Sequence, residues 1–274
     1  MSESPVRTDD ITGVHSTLTV ERDEEHVLVV TLNRVEVLNA INTQMGRELG
    51  DLWIRLTVEP TLARCVVLTG AGERAFCVGG DLKERDGMSD EAWRAQHEIF
   101  ERGFLALLNC PLPVIAAVNG HAFGGGLETA LACDFIYASR DARLGLTEVG
   151  LGIMPGGGGT QTLPRAAGER RAKELILTAQ PFSAEQAFGW GIVNRLCEPG
   201  ETLADALDTA RLIAANAPVS TRQAKKSIHY GLQLDLDTAY RFEIEAYNRL
   251  IDTEDRIEGV KAFNEKRRPR FEGR

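Results

Sequence analysis

Hydrophobic and polar positions follow a repeating order along the first two thirds of the chain. A short β-branched or apolar run is followed by a glycine-rich loop and then by a stretch with helical spacing. The spacing over 41–60 predicts a helix that is capped by Asn42 or Thr43. The apolar runs predict strands at 26–34, 64–70, 113–120 and 135–139. Such strands leave functional groups on the loops above a rigid scaffold.

From about residue 183 the pattern changes to amphipathic helices with few strand signals. Ser183 and Gln186 predict a capping box at the first of these helices. Three further helices are predicted within 204–218, 220–232 and 237–251. The fold class expected is therefore α/β, in one structural unit. It divides into a disordered segment at 1–15, a core with the candidate site at 16–200 and a helical region at 201–274.

Composition narrows the classes of function. A chain of 274 residues with 43% hydrophobic residues can bury a sizeable core. A net charge of −9 argues against a general nucleic-acid binder. No apolar run approaches the ~18 residues of a membrane span, and the first residues lack a signal or transit peptide pattern. Five widely spaced cysteines without a CxxC pair predict reduced thiols and no metal site. We therefore expect a cytoplasmic protein.

Two glycine-rich loops carry the first candidate chemistry. One lies in "CVGGDLKE" (77–84) and the other in "VNGHAFGGGLETALACDF" (118–135), each at a strand-to-helix junction. Glycines at the start of a helix leave its first N–H groups unpaired and open to a ligand oxygen. If Gly80 and Gly125 face each other, their amides hold one carbonyl oxygen. The alternative is a pair of tight turns that need a positive φ.

Two glutamates follow these loops. Glu128 stands on the first turn of a predicted helix, where the helix dipole alone favours an acid. Glu148 is the only charge between Leu144 and Pro155. A buried carboxylate without a partner takes a raised pKa, which suits a general acid. The alternatives for Glu148 are a solvent-facing loop position or an ion pair with an arginine.

The chain resembles the crotonase, or enoyl-CoA hydratase/isomerase, superfamily over nearly its whole length. The similarity is carried jointly by "AFCVGGDLKE", "PVIAAVNGHAFGGGLETALACDF", "LGLTEVGLGIMPGGGGTQTLPR" and "AFNEKRRPRF". Short-chain hydratases of the methylglutaconyl-CoA hydratase type look most similar. The resemblance implies a spiral of ββα units. It also implies a C-terminal helical region that builds trimers, usually paired into hexamers.

The resemblance further implies roles for individual residues. Gly80 and Gly125 would form the oxyanion hole for a thioester carbonyl. Glu128 would activate water, and Glu148 would deliver a proton to C2. This chemistry adds water syn across the double bond of a short or branched 2-enoyl-CoA thioester. Coenzyme A enters as part of the substrate, so no separate cofactor is expected. The implied acyl and coenzyme A contacts, the last two of them from a neighbouring subunit, are Arg34, Val35, Val37, Ala40, Val78, Asp81, Leu82, Lys83, Gly124, Thr147, Pro155, Gly156, Phe263 and Lys266.

Several alternatives stay open at this stage. Within the superfamily, the chain could be a Δ3-Δ2-enoyl-CoA isomerase or a dehydratase acting on an ester such as carnitinyl-CoA. The superfamily usually has alanine at Gly80 and often proline at Thr147, which leaves the acyl group undecided. "TGAGERA" (69–75) satisfies a dinucleotide-binding pattern but lacks a following helix. An RNA-binding relative would need lysines that 41–60 lacks. Cys77 is a candidate nucleophile or a packing residue.

Overall fold

The fold is built from buried strands that alternate between two sheets. A computed structural model describes residues 11–23 and 26–274. The larger sheet has the order β1-β2-β3-β4-β6-β8-β11, and the smaller one has the order β10-β9-β7-β5. Their strands are β1 Gly13–Val14, β2 Leu18–Asp23, β3 Val27–Leu32, β4 Cys65–Gly70, β5 Ala75–Cys77, β6 Val114–Val118, β7 His121–Phe123, β8 Phe135–Ser139, β9 Arg143–Gly145, β10 Phe182–Ser183 and β11 Arg195–Cys197.

Helices follow the strand pairs, and the elements after β11 are all α-helices. Two short 3-10 helices, Val35–Val37 and Glu148–Leu151, accompany the α-helices. The α-helices are α1 Thr43–Val58, α2 Leu82–Arg85, α3 Asp90–Leu108, α4 Gly125–Ala132, α5 Gly159–Ala167, α6 Glu169–Thr178, α7 Ala184–Gly189, α8 Thr202–Ala214, α9 Pro218–Gly231, α10 Leu236–Ile251 and α11 Glu254–Asn264.

The chain winds as a spiral of ββα turns, as the resemblance implies. In each turn, the first strand joins the larger sheet and the second joins the smaller one: β4 then β5, β6 then β7, β8 then β9. Pairing is parallel from β3 through β4, β6 and β8 to β11, and also from β5 through β7 to β9. Parallel strands bring their carboxyl ends to the same edge, so the loops that follow them meet there.

The predicted elements are confirmed, with ends that differ by a few residues. All four predicted strands form, as β3, β4, β6 and β8. Helix α1 begins after Asn42, whose side chain accepts a hydrogen bond from the Met45 amide at 2.9 Å. The capping box of Ser183 and Gln186 is present at α7. Strand β2 and helix α3 form where the sequence analysis predicts no element.

The two faces of the larger sheet are covered in different ways. Large side chains of α1, among them Met45, Trp53 and Leu56, are buried in the main core. On the opposite face, Ala206 and Ala210 of α8 pack against the small and β-branched residues of β3, β4 and β6. Alanine at these positions lets the helix approach the sheet closely. Helix α8 therefore packs on the core although it lies C-terminal to residue 200.

The two ends of the chain differ from each other in packing. Residues 1–10 of the predicted disordered segment lie outside the described residues. The expectation does not hold for the rest of that segment, because Ile11 is buried and Gly13–Val14 pair with β2. At the other end, α9 and α10 pack on each other and leave large apolar side chains exposed. Among the described residues, no helix combines the length and apolar character that a bilayer crossing requires.

Candidate active site

A cavity of about 230 Å³ lies beside the first turn of α4. The loops that precede α2 and α4 form one wall, and the 3-10 helix Glu148–Leu151 and the glycine segment after it form another. Residues of α1 and α3, including Trp53 and Phe104, complete the lining. The four residues predicted to be catalytic, Gly80, Gly125, Glu128 and Glu148, all line this cavity.

The two glycine loops are in direct backbone contact. A Cβ atom built on Gly79 would lie 2.9 Å from the Phe123 carbonyl oxygen and 3.2 Å from the Gly125 nitrogen. One built on Gly125 would lie 3.9 Å from the Gly80 nitrogen. Gly79 and Gly124 also have positive φ values, of 93° and 50°. Tight turns and exposed amides therefore occur together, because only glycine permits this conformation and this approach.

The amides of Gly80 and Gly125 are left free by the local backbone. On either side of Gly80, the Ile41 amide donates to the Gly79 carbonyl at 2.7 Å and the Asp81 amide donates to the Ile41 carbonyl at 2.9 Å. Gly125 is the first residue of α4, where an amide has no intrahelical acceptor. In the described part of the chain, neither amide donates to a side chain or to a loop carbonyl. Both are thus available to an oxygen in the cavity.

Glu128 is a buried carboxylate with fixed donors. Its Oε1 accepts hydrogen bonds from the amides of Gly157 and Gly159, each at 2.8 Å. The pKa of Glu128 is raised to about 7, and burial is the largest cause. The charge of Glu148 also raises this pKa, whereas the hydrogen bonds from the Gly159 and Gly157 amides lower it. The side chain is held in one orientation and titrates near neutrality.

Glu148 is buried without a partner. Neither of its carboxylate oxygens has a hydrogen-bond partner among the described residues. Burial raises the pKa of Glu148. The backbone amide of the same residue opposes this shift, but its position relative to the carboxylate does not meet the criteria for a hydrogen bond. A Cβ built on Gly124 would lie 3.2 Å from Glu148 Oε1. The acid therefore sits against the residue that precedes the Gly125 amide.

The two glutamates differ in their hydrogen-bond donors, although burial raises the pKa of both. Two amide donors stabilise the carboxylate form of Glu128. The absence of donors around Glu148 within the described residues stabilises its protonated form. A base and an acid beside two free amides can move protons at the carbons next to a carbonyl.

Comparisons with known proteins identify the family of the chain. A family model described as enoyl-CoA hydratase/isomerase matches residues 22–274. The short-chain-enoyl-CoA hydratase of Clostridium acetobutylicum is 44% identical, over 89% of this chain and 94% of its own length. The mitochondrial methylglutaconyl-CoA hydratase of Mus musculus is 36% identical, over 98% of this chain and 86% of its own. The crystal structure of an enoyl-CoA hydratase from Bacillus anthracis superposes with a TM-score of 0.92 at 43% identity, over 94% of this chain and all of that one.

The chain belongs to the enoyl-CoA hydratase/isomerase family. It is an enzyme with the crotonase fold, and its relatives include named hydratases. The spiral architecture expected from the sequence is thereby confirmed, whereas the expected trimer-building role of the C-terminal helices stays a prediction.

The family's acyl and coenzyme A contacts fall into two groups in this chain. Those that line the cavity are Val78, Leu82, Gly124, Thr147 and Gly156. Those that lie outside its lining are Arg34, Val35, Val37, Ala40, Asp81, Lys83, Pro155, Phe263 and Lys266. Their substrate contacts stay predictions.

Several residues of the second group have other contacts. Arg34 Nη1 donates to the Ala40 carbonyl at 2.7 Å and to Asp81 Oδ2 at 2.9 Å. Asp81 also caps α2. This ion pair joins the loop after β3 to the Gly80 loop, so Arg34 and Asp81 support the wall of the site. Phe263 is exposed on α11, and Lys266 lies beyond the end of that helix with a φ of 55°.

The sequence analysis does not identify the residues of α3 that line the cavity. Trp93, His97, Phe100 and Phe104 of α3 line the cavity, as does Arg85 at the end of α2. Their spacing of three or four residues is a helical signal that was available in 90–108. The amides of Gly157 and Gly159 were also missed, because nothing in a glycine run indicates which carboxylate it faces.

The structure distinguishes between the alternative interpretations of "TGAGERA" and of Cys77. The segment "TGAGERA" ends in β5 instead of opening a helix, so it is not a dinucleotide-binding loop. Cys77 is buried, and burial raises the pKa of its thiol to about 12, as expected of a packing residue. Within the described residues, no group of His, Cys, Asp and Glu is arranged to hold a metal ion.

Proposed function

We propose that this enzyme adds water syn across the 2,3-double bond of a short or branched 2-enoyl-CoA thioester. The observation that carries the proposal is the pair of buried glutamates with different hydrogen-bond donors, next to two neighbouring amides that are unpaired among the described residues. Isomerisation needs one carboxylate to move a proton between carbons. Water addition needs two groups, one that accepts a proton from water and one that donates a proton to carbon.

In the proposed reaction, the amides of Gly80 and Gly125 bind the thioester carbonyl oxygen. They stabilise the enolate that forms when a nucleophile adds at C3; losing one such donor typically costs about 3 kcal/mol of transition-state stabilisation. The carboxylate of Glu128 accepts a proton from water as its oxygen bonds to C3. Glu148 then donates its proton to C2 as the enolate collapses to the thioester carbonyl. The hydroxyl and the hydrogen arrive from the same face of the acyl chain.

Proton balance resets the site after each turnover. Glu128 ends the reaction protonated and Glu148 ends it ionised, so one proton must pass back between them or through solvent. The charge of Glu148 raises the pKa of Glu128, which shows that the two groups interact electrostatically. Ionisation of Glu148 therefore favours the protonated form of Glu128, which is the direction of this return transfer.

The working assembly in this proposal is a cytoplasmic homotrimer or a hexamer made from two trimers. Phe263 and Lys266 would then reach the adenine and phosphate end of coenzyme A in a neighbouring subunit. Support comes from the exposure of Phe263, which is 83% accessible although it is apolar. Neither nucleic acid nor a membrane is a partner in this proposal.

A turnover screen tests the proposal. Purified protein is assayed with crotonyl-CoA, methylglutaconyl-CoA, a long-chain 2-enoyl-CoA and a 3-enoyl-CoA, and the products are identified by mass and by NMR. We expect 3-hydroxyacyl-CoA products, formed fastest from the short or branched 2-enoyl esters. A chain that converts 3-enoyl-CoA to 2-enoyl-CoA faster than it hydrates any ester would contradict hydration as the main activity.

A further inference from the structure

Arg85 places a positive charge in the wall of the cavity. It is the last residue of α2 and lines the cavity beside the Gly80 loop. A Cβ atom built on Gly80 would lie 3.4 Å from Arg85 Cζ, 3.5 Å from Nη1 and 3.7 Å from Nη2. The forked end of the guanidinium therefore borders the space beside Gly80, whose amide binds the thioester carbonyl in the proposed reaction.

The guanidinium is held in place from the side opposite its forked end. Arg85 Nε donates to Gln96 Oε1 at 2.8 Å, and Gln96 is itself buried. Arg85 Cζ lies 4.4 Å from the centre of the Trp93 ring and 5.5 Å from that of Phe100. Cation–π contacts with two rings fix the plane of the charge. The orientation is thus built by α3 instead of being left to solvent.

The terminal nitrogens of Arg85 have no hydrogen-bond acceptor among residues 11–23 and 26–274. Across the described residues, no carboxylate lies within ion-pair distance of Arg85, and neither Nη1 nor Nη2 donates a hydrogen bond. The adjacent acid, Glu84, accepts from Gln96 Nε2 and from the Thr43 amide, each at 2.8 Å. Burial lowers the pKa of Arg85, and the charge of Glu84 opposes this shift. A half-buried, oriented and unpaired cation is unfavourable in a free enzyme unless a ligand supplies the missing anion.

We infer that Arg85 binds a carboxylate at the far end of the acyl chain, so that the substrate class is the mono-CoA thioester of an unsaturated dicarboxylic acid. This inference rests on the proposed function for the identity of the reacting end. A carboxylate accepts two parallel hydrogen bonds from the Nη1 and Nη2 groups of one arginine. Beside the Gly80 amide, that pairing anchors the acyl chain at two points: the thioester carbonyl at the amides and the carboxylate at the guanidinium.

Binding of esters that cannot be hydrated tests the inference without any turnover. Glutaryl-CoA and butyryl-CoA are saturated, and they differ in whether the acyl chain ends in a carboxylate. Titration calorimetry should show at least a 10-fold tighter Kd for glutaryl-CoA with the wild-type protein, since a hydrogen bond to a charged group contributes about this factor. Arg85→Met should remove this preference. Arg94→Met is the matched control, because Arg94 is an exposed cation on α3 paired with Asp90; it should keep the preference.

Rates on a matched pair of unsaturated esters give the second readout. The ratio of kcat/KM for glutaconyl-CoA to that for crotonyl-CoA should fall about 10- to 100-fold in Arg85→Met. Arg85→Lys keeps the positive charge but loses the two parallel N–H donors, so it should give an intermediate ratio. Equal losses on both esters would mean that Arg85 acts on the oxyanion or on folding, and this would overturn the inference. So would a wild-type protein that binds both saturated esters equally.

The failure of the proposed function gives a different result. If the wild-type protein binds glutaryl-CoA preferentially and hydrates neither unsaturated ester, the Arg85 site stands and the proposed hydration is contradicted. If it hydrates crotonyl-CoA well and shows no preference for a carboxylate, the hydratase stands and the Arg85 site is contradicted.

Discussion

Hydrogen-bond donors distinguish Glu128 from Glu148 more clearly than burial does. Both side chains are less than 10% exposed, at 4% and 8%. Glu128 accepts two backbone amides, whereas both oxygens of Glu148 lack a partner within the described residues. Donors favour the ionised form and their absence favours the protonated form, which supports the proposal that Glu128 is the base and Glu148 is the acid.

The raised pKa of Glu128 predicts a specific dependence of stability on pH. A carboxyl whose pKa rises from 4.5 to about 7 on folding binds its proton more tightly in the folded state. Its contribution to stability is fully present below about pH 4.5 and is lost as the pH rises through about 7. Glu128→Gln lacks this titration. The free energy of unfolding of Glu128→Gln minus that of the wild type should therefore increase by on the order of 2–3 kcal/mol between pH 5 and pH 8.

Urea denaturation of both proteins at a series of pH values measures this difference. Glu148 is present in both proteins, so the part of its titration that does not depend on residue 128 cancels. A difference that stays constant between pH 5 and pH 8 would show that the pKa of Glu128 is close to its ordinary value in the folded protein.

At this scale the sequence predicts the residues but not their contacts. Glu148 stands out because no other charge lies between Leu144 and Pro155, and the structure buries it. For Glu128 the helix-dipole interpretation was equally good, and only the Gly157 and Gly159 amides separate the two. Those donors lie about 30 residues away along the chain, and no local pattern contains them. Arg85 was missed for the same reason, since its partners lie on α3.

Helix α4 is the element on which the candidate site depends, because its first turn carries both the Gly125 amide and Glu128. A glycine at 126 lets this turn lie on the backbone of β5. A Cβ atom built there would be 2.1 Å from the Cys77 carbonyl oxygen and 2.7 Å from its carbon. No real side chain fits that space without moving the helix away from the Gly80 loop.

Substituting Gly126 with alanine should therefore damage both stability and activity. We expect Gly126→Ala to lower the free energy of unfolding by about 1–3 kcal/mol, the usual cost of overpacking, and to reduce hydration because the Gly125 amide is displaced. Thermal denaturation and initial hydration rates measure the two effects. Gly189→Ala is the control: nothing lies within 4 Å of its added Cβ in α7, so stability should hold or rise by up to about 1 kcal/mol. Equal behaviour of the two variants would refute the close contact.

Sequence patterns identify those helices and strands that are long enough to display their period. The β-branched runs of β3, β4, β6 and β8 and the apolar stripe of α1 were all predicted. The second strand of each spiral turn was not, because β5, β7 and β9 have three residues each. Three residues cannot display a period of two, and these strands are set between glycines. The smaller sheet is formed by tertiary packing and not by local propensity.

The whole molecule exposes an unusual amount of apolar surface at its C-terminal end. The apolar face of the C-terminal helices comprises exposed residues of α9, α10 and α11 and of the turn before α10: Ile228, Leu232, Leu236, Tyr240, Tyr247, Ile251, Ile257, Val260 and Phe263. A concentration of exposed apolar side chains in one region of a protein is typical of an interaction site. Its presence supports the proposed trimer or hexamer.

Sedimentation should give a mass of three or six times the 30.0 kDa of one chain. The double variant Leu236→Glu, Tyr247→Glu places two charges on the apolar face of the C-terminal helices and should lower the mass. Val58→Glu on α1, which is 73% exposed, is the matched control and should leave it unchanged. A monomeric wild-type protein at micromolar concentration would contradict the proposed assembly.

The most direct test of the central claim is the initial rate of crotonyl-CoA hydration in three proteins: wild type, Glu128→Gln and Glu148→Gln. If these two side chains act as base and acid, each variant should lose about 10²- to 10⁴-fold in kcat while its circular dichroism spectrum stays that of the wild type. Hydration by both variants at the wild-type rate would contradict the account.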